Sequence, residues 1–271
     1  MKRCLPLLCF FTLLCTCVRA QGPVGGFPTP KGETAIAISY SKENYDNYFL
    51  PDKAEEKRDI ETISYSLFVE TGVSDNMSLI ANLPWMQINE DDGSLQDASL
   101  WLKYMNLDKR SGRSASRVFT AVGLSVPVGN YETMGNTSLG QRATVFQGRL
   151  VYQFQHDDGW FLHGQTGIDF QIAPEAQSSW PVLLRTGYGG NFFYTEAWIE
   201  FVTALESGSG VQGAAAGTGS SWQRVGGTFY VPVTRWAGLN LGAAWVLSGE
   251  FIGESSRLNL GVVFKLGAGG S

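Results

Sequence analysis

The chain has 271 residues, 20 basic and 25 acidic, for a formal charge of −5, and its cysteines, Cys4, Cys9, Cys15 and Cys17, all fall near the start. An acidic balance of this size argues against nucleic-acid partners. Cysteines confined to a leader exclude a disulfide framework, a thiolate metal site and a cysteine nucleophile from everything after it.

The leader itself is a charged start (Lys2, Arg3), an apolar run from Leu5 to Leu14 and the small-residue boundary Val18-Arg19-Ala20. This reads as a signal peptide over residues 1–20, cleaved after Ala20. The run is shorter than the ~20 residues a transmembrane helix needs. Leu14 and Thr16, which precede Cys15 and Cys17, are poor residues before a lipidated cysteine, against a lipoprotein. Removing Lys2, Arg3 and Arg19 leaves 17 basic against 25 acidic residues, a mature charge of −8.

Residues 21–31, rich in Gly and Pro, are expected to be irregular and are a candidate plug; 32–266 are expected to form the folded body and 267–271 a tail. No later apolar run could cross a bilayer as a helix, so a membrane protein here must be a barrel.

The body is a succession of runs that alternate with period two. Between Arg142 and Gln155, Phe146, Gly148, Leu150, Tyr152 and Phe154 share one face, and Gln147, Arg149, Val151, Gln153 and Gln155 the other. The next run sets Trp160, Leu162, Ile168 and Phe170 against His163, Gln165, Asp169 and Gln171, after the tight turn His156-Asp157-Asp158-Gly159. One apolar wall and one mostly polar wall suit a sheet between lipid and water. These runs are about twice the five or six residues usual in soluble sandwiches.

Read throughout, the pattern predicts strands near 33–41, 59–70, 77–87, 97–106, 117–127, 142–155, 159–171, 181–188, 193–205, 221–231, 237–248 and 256–266. Short turns are expected near 73–76, 157–158, 189–190 and 234–236, with a somewhat longer link at 108–116. The alternate connections are expected to be long: 41–58, 88–96, 128–141, 172–180, 206–220 and 248–255. That asymmetry belongs to an all-β, transmembrane, antiparallel up-and-down barrel of about twelve strands, turns facing the periplasm and loops the exterior. Trp85, Tyr104, Trp160, Phe170, Tyr188 and Trp245 fall on the expected lipid faces, where rings settle at headgroup level, although aromatics are enriched in strands of any kind.

Two stretches resemble known signals. NLGVVFKL (Asn259 to Leu266) resembles the C-terminal recognition signal of outer-membrane barrels, which implies the barrel-assembly machinery and outer-membrane lipid as partners. GVSDNMSLIANLPW (Gly72 to Trp85), DGSLQDASLWLKY (Asp92 to Tyr104) and GLSVPVGNY (Gly123 to Tyr131) resemble the outer-membrane family associated with the meta pathway of phenol degradation. Here Gly93 and Asp97 are separated rather than adjacent, and Val128 replaces the usual Thr. The resemblance implies transport of small solutes, aromatic or hydrophobic ones included, and supplies no catalytic set.

The residues offer no catalytic set either. The only histidines are His156, in a turn, and His163, on a lumen face, and no serine signature of a lipid hydrolase accompanies them, so no enzyme is expected. Glu90-Asp91-Asp92 lacks the spacing of a calcium loop, and no cofactor or metal set is expected. The candidate lumen-lining residues are Lys103, Arg149, His163, Asp169, Arg185, Glu196, Glu200, Arg224, Arg257 and Lys265. They can either pair and fill the interior or line a wet path that selects solutes. The expected function is a passive channel or uptake barrel; the alternative is a closed barrel whose long loops bind a partner.

Overall fold

The computed structural model describes residues 24–50, 55–130, 142–206 and 219–267. The strands are β1 (Thr34–Phe49), β2 (Glu55–Ser74), β3 (Met77–Ile88), β4 (Ser94–Leu95), β5 (Asp97–Ser111), β6 (Ser114–Pro127), β7 (Thr144–His156), β8 (Trp160–Ala173), β9 (Gln177–Gly189), β10 (Tyr194–Ala204), β11 (Ser221–Pro232), β12 (Ala237–Glu250) and β13 (Ile252–Leu266). All twelve expected strands are present, and the two-residue β4 is an addition, pairing with β3 at Trp85 and Met86. Each long strand pairs antiparallel with its neighbours in the chain, and β1 pairs with both β2 and β13, which closes the ring. Closure leaves no row of unpaired backbone groups to face lipid.

Alternation sorts side chains to the two faces. On β5, Leu100 and Tyr104 are 58% and 47% exposed, while Trp101 and Lys103 between them are 1% exposed. Leu124, Leu150, Leu162, Leu184, Leu241 and Leu260 extend the exposed apolar band round the barrel. A continuous apolar belt on this scale is a surface for lipid rather than water. Aromatic rings mark its edges. Trp160 meets Tyr188 (centroids 5.4 Å apart), Tyr188 meets Phe193 (5.5 Å) and Phe193 stacks on Phe229 (5.7 Å), all beside the short turns. A second row, Tyr40–Tyr65–Trp85, lies further up the strands.

Above that second row the wall leaves the membrane, and here the expected connections are corrected. The 41–58 link was expected to be a loop, but β1 runs on to Phe49 and β2 starts at Glu55. In this part of the wall, polar residues face outward as well, as in the exposed Lys42–Glu61 ion pair (2.7 Å), so no apolar stripe betrays the strand. For the same reason β12 and β13 consume most of 248–255, leaving Phe251 (φ 58°) between them. Likewise β8 and β9 close on 174–176, and the 108–116 link shrinks to a turn with Gly112 at φ 56°. The expected leader and its cleavage site, the tail beyond 267, and most of the 128–141 and 206–220 loops lie outside the described residues.

Candidate functional site: the barrel interior

The inner face carries the polar residues of every strand, and residues 24–29 lie among them. Val24 is fully buried in a cluster with Ile80, Trp101, Phe119, Ala121 and Val151, drawn from β3, β5, β6 and β7. Phe27 stands edge-on to Phe161 (5.2 Å) and Tyr194 (6.4 Å), which stack on each other at 5.6 Å. Gly26 lies against the Gln153–His163 pair, whose Oε1 and Nδ1 are 2.9 Å apart. A Cβ at Gly26 would come 2.1 Å from Gln153 Oε1 and 2.7 Å from His163 Nδ1, so a side chain here would displace this buried pair. The segment leaves toward β1 through a parallel bridge between Lys31 and Gly72 and the bond from Gly32 N to Gly72 O (2.9 Å).

Charge holds this segment from the wall side. Lys103 on β5 donates to Glu70 Oε1 (2.7 Å), to Phe27 O (2.9 Å) and to Gly25 O (3.4 Å). Thr29 Oγ1 donates to the same Glu70 oxygen at 2.7 Å. Lys103 and Glu70 belong to strands separated by β3, and they meet over Ser78, the register neighbour of both Lys103 and Gly72. Both charged side chains are almost wholly buried, so each depends on the other and on these carbonyl and hydroxyl partners.

Further up, Arg149 grips Asp169 with two nitrogens (2.7 and 2.9 Å) and lies over the Trp101 ring at 5.4 Å. Gln147 also donates to Asp169, at 3.1 Å. Higher still, Arg257 donates to Glu43 at 2.6 and 2.9 Å while Ser255 donates to the other Glu43 oxygen at 2.6 Å. Arg224 pairs with Glu200 (2.8 Å) and covers the Trp222 and Trp198 rings at 4.7 and 5.6 Å. Glu196 accepts from Tyr194 OH at 2.6 Å, and the Lys265 ammonium lies 5.5 Å from the Tyr230 ring centre. Arg185 stands across the ladder from His163 on one side and Trp198 on the other.

The ten residues picked from sequence thus occupy one surface, the inner one, at several heights, rather than one compact cluster. Two acids central to it, Glu43 and Glu70, are not among these candidates. Glu43 falls in what alternation reads as a loop; Glu70 ends a predicted strand, where its inward phase, shared with Phe68, was the available signal. Among the described residues no cluster of three or more metal-ligating side chains forms.

Solved structures share this architecture. The COG4313 outer membrane channel from Pseudomonas putida F1 aligns with a TM-score of 0.69 at 14% identity, over 91% of this chain and 100% of that one. The NanC porin aligns at 0.55 and 8% identity over 85% and 100%, and the KdgM porin at 0.54 and 10% over 84% and 98%. At such identities the likeness establishes the fold, that of bacterial outer-membrane channels and porins. No curated protein sequence matches the chain. The model of one family, described as "Putative MetA-pathway of phenol degradation", matches residues 44–250, which span β1 to β12, and the chain belongs to that family.

Proposed function

We propose that the protein is an outer-membrane channel for small solutes, aromatic and hydrophobic ones included, exported by a signal peptide cleaved after Ala20 and closed at rest by residues 24–30. The observation that carries this reading is the seating of Val24 to Thr29 among inward side chains, on a Lys103–Glu70 pair that belongs to the wall. The partners that hold the segment, an ammonium and a few apolar rings, can exchange it for water or for a passing solute. The wall's other charge pairs are complete without it. Solutes would then move along an interior whose paired charges favour polar or polarisable molecules over bare ions.

A second reading has an observation of its own. Trp101, Phe119, Val151 and Gln153 are at most 1% exposed, so a permanently filled barrel that serves only through its loops would look the same at rest. Planar-bilayer recording separates the two. The wild-type protein is expected to show rare, brief openings, and Gly26→Leu, which cannot seat beside the fully buried Gln153, is expected to hold the path open. Absence of conductance and of solute flux in both would favour the filled barrel.

A further inference from the structure

Four of the wall's inward cations are matched to acids. Lys103, Arg149, Arg224 and Arg257 each hold a carboxylate oxygen at 2.6 to 2.8 Å. Arg185 is 92% buried, since only 8% of it is exposed, and no carboxylate among the described residues lies within ion-pair reach of it. Its Nε and Nη2 are both buried without an acceptor. These are the two nitrogens along one edge of the guanidinium, the edge that meets both oxygens of a carboxylate in parallel.

The surroundings hold donors and acceptors: Gln165 Oε1 and Glu196 Oε1, each two residues away in register, are buried without a partner, yet neither bonds the Arg185 edge. Trp198, across the ladder from Arg185, is equally buried, and its Nε1–H has no acceptor. The Trp198 indole packs against Gly226, where a Cβ, if present, would be 2.3 Å from it. The Arg224 guanidinium, already paired with Glu200, also lies 5.6 Å from that ring. A buried guanidinium with an empty edge is costly unless an anion or ordered water completes it.

We propose that Arg185 and Trp198 form a carboxylate-binding site in the lumen, covered at rest by residues 24–26 and used by small solutes that carry a carboxylate. This rests on the channel reading for its purpose, although binding itself does not require flux. Gly26 packs on His163, the register neighbour of Arg185, which places the covering segment beside the site. Two inward acids flank the site at equal register distance, Glu196 beside Gly187 and Glu200 beside Leu183; Glu200 is held by Arg224, and Glu196 accepts from Tyr194 at Oε2 while its Oε1 has no partner, so neither carboxylate pairs with Arg185. The site is therefore set to select an anionic head attached to a body that can lie along an indole.

The test uses the full mature chain in detergent, titrated by calorimetry with benzoate and, as a neutral control, benzyl alcohol. Benzoate is expected to bind Gly26→Leu more tightly than wild type, and benzyl alcohol to bind neither measurably. In the Gly26→Leu background, Arg185→Gln should weaken benzoate about tenfold or more, Arg185→Lys should recover part of that loss, and Trp198→Phe should weaken it less. Heat-modifiable gel migration verifies that each variant is folded. Benzoate affinity unchanged by Arg185→Gln, no benzoate binding in Gly26→Leu, or binding restored only when Glu196 is replaced would each overturn the proposal. Benzoate binding without conductance would retain the site and remove the channel.

Discussion

Lys103 and Glu70 meet at 2.7 Å across an intervening strand, buried together and bound on one side to the backbone of the segment inside the barrel. The pair thus belongs to two structures at once, the wall and its contents. Replacing Lys103 with Met strands a buried carboxylate, which costs roughly 3 kcal/mol or more. Lys103→Met is therefore expected to lower the denaturant midpoint clearly, while the double variant Lys103→Met/Glu70→Met recovers most of the loss. Equal midpoints for the single and double variants would show that the two charges are not coupled.

With every cysteine of the sequence in the first twenty residues, Val24→Cys supplies a single thiol once the leader is gone. Val24 is fully buried, so this thiol should react slowly with a bulky maleimide. Adding Gly26→Leu should accelerate labelling at least about tenfold, the ratio for a site opened by some 1.4 kcal/mol of population shift. Fast labelling in the otherwise unaltered protein would mean that the segment spends much of its time outside the lumen.

Gly167 faces the β7 backbone at close range. A Cβ there would lie 1.9 Å from the backbone oxygen of Gly148, an atom that cannot swing away. Gly167→Val is expected to break the register at this point and leave little heat-modifiable protein in the membrane, whereas Gly148→Ala, whose nearest neighbour is Ile168 Cγ2 at 3.8 Å, should assemble normally.

At the opposite rim, Ser178 donates its amide and its hydroxyl to Glu206, and these two bonds hold the Glu206 carboxyl below the usual carboxylate range. A lowered value means that the tether is complete at pH above the ordinary ~4.3 and is lost as pH falls through the lowered value. The Ser178 amide should be protected from hydrogen exchange at neutral pH and lose that protection only as pH falls through the lowered value, beyond the intrinsic slowing of exchange in acid. Glu206→Gln should remove the pH dependence.

Much of the barrel was legible because lipid imposes a strict pattern: Leu100, Leu102 and Tyr104 could only face out, which fixed Trp101 and Lys103 as inward. Where strands rise beyond the bilayer, that pressure ends. Glu43 and Tyr45 are inward and buried, yet Lys42, Asn44 and Asp46 around them are ordinary solvated residues, so the sequence there resembles a loop. The interior shows the same limit differently. Alternation says that Arg149 and Asp169 share a face but not that they touch, because their meeting depends on Gly167 between them, and that is a matter of register and not of composition. Glu70's link to Lys103 depends on strand order across β3, which no local pattern encodes.

Because β1 is hydrogen-bonded to β13, the ring is completed only when the last strand arrives. The inner segment, by contrast, is fastened at its exit by contacts made within the first hairpin alone: Thr29 to Glu70, Lys31 beside Gly72 and Gly32 to Gly72. Its anchorage at the exit thus does not depend on closure of the ring, and Lys103, Gln153, Phe161 and Tyr194 add contacts from later strands. The segment is therefore fixed to the wall of its own first hairpin like a tongue to the floor of a mouth, and a variant that frees its tip from the lumen would still leave its root attached.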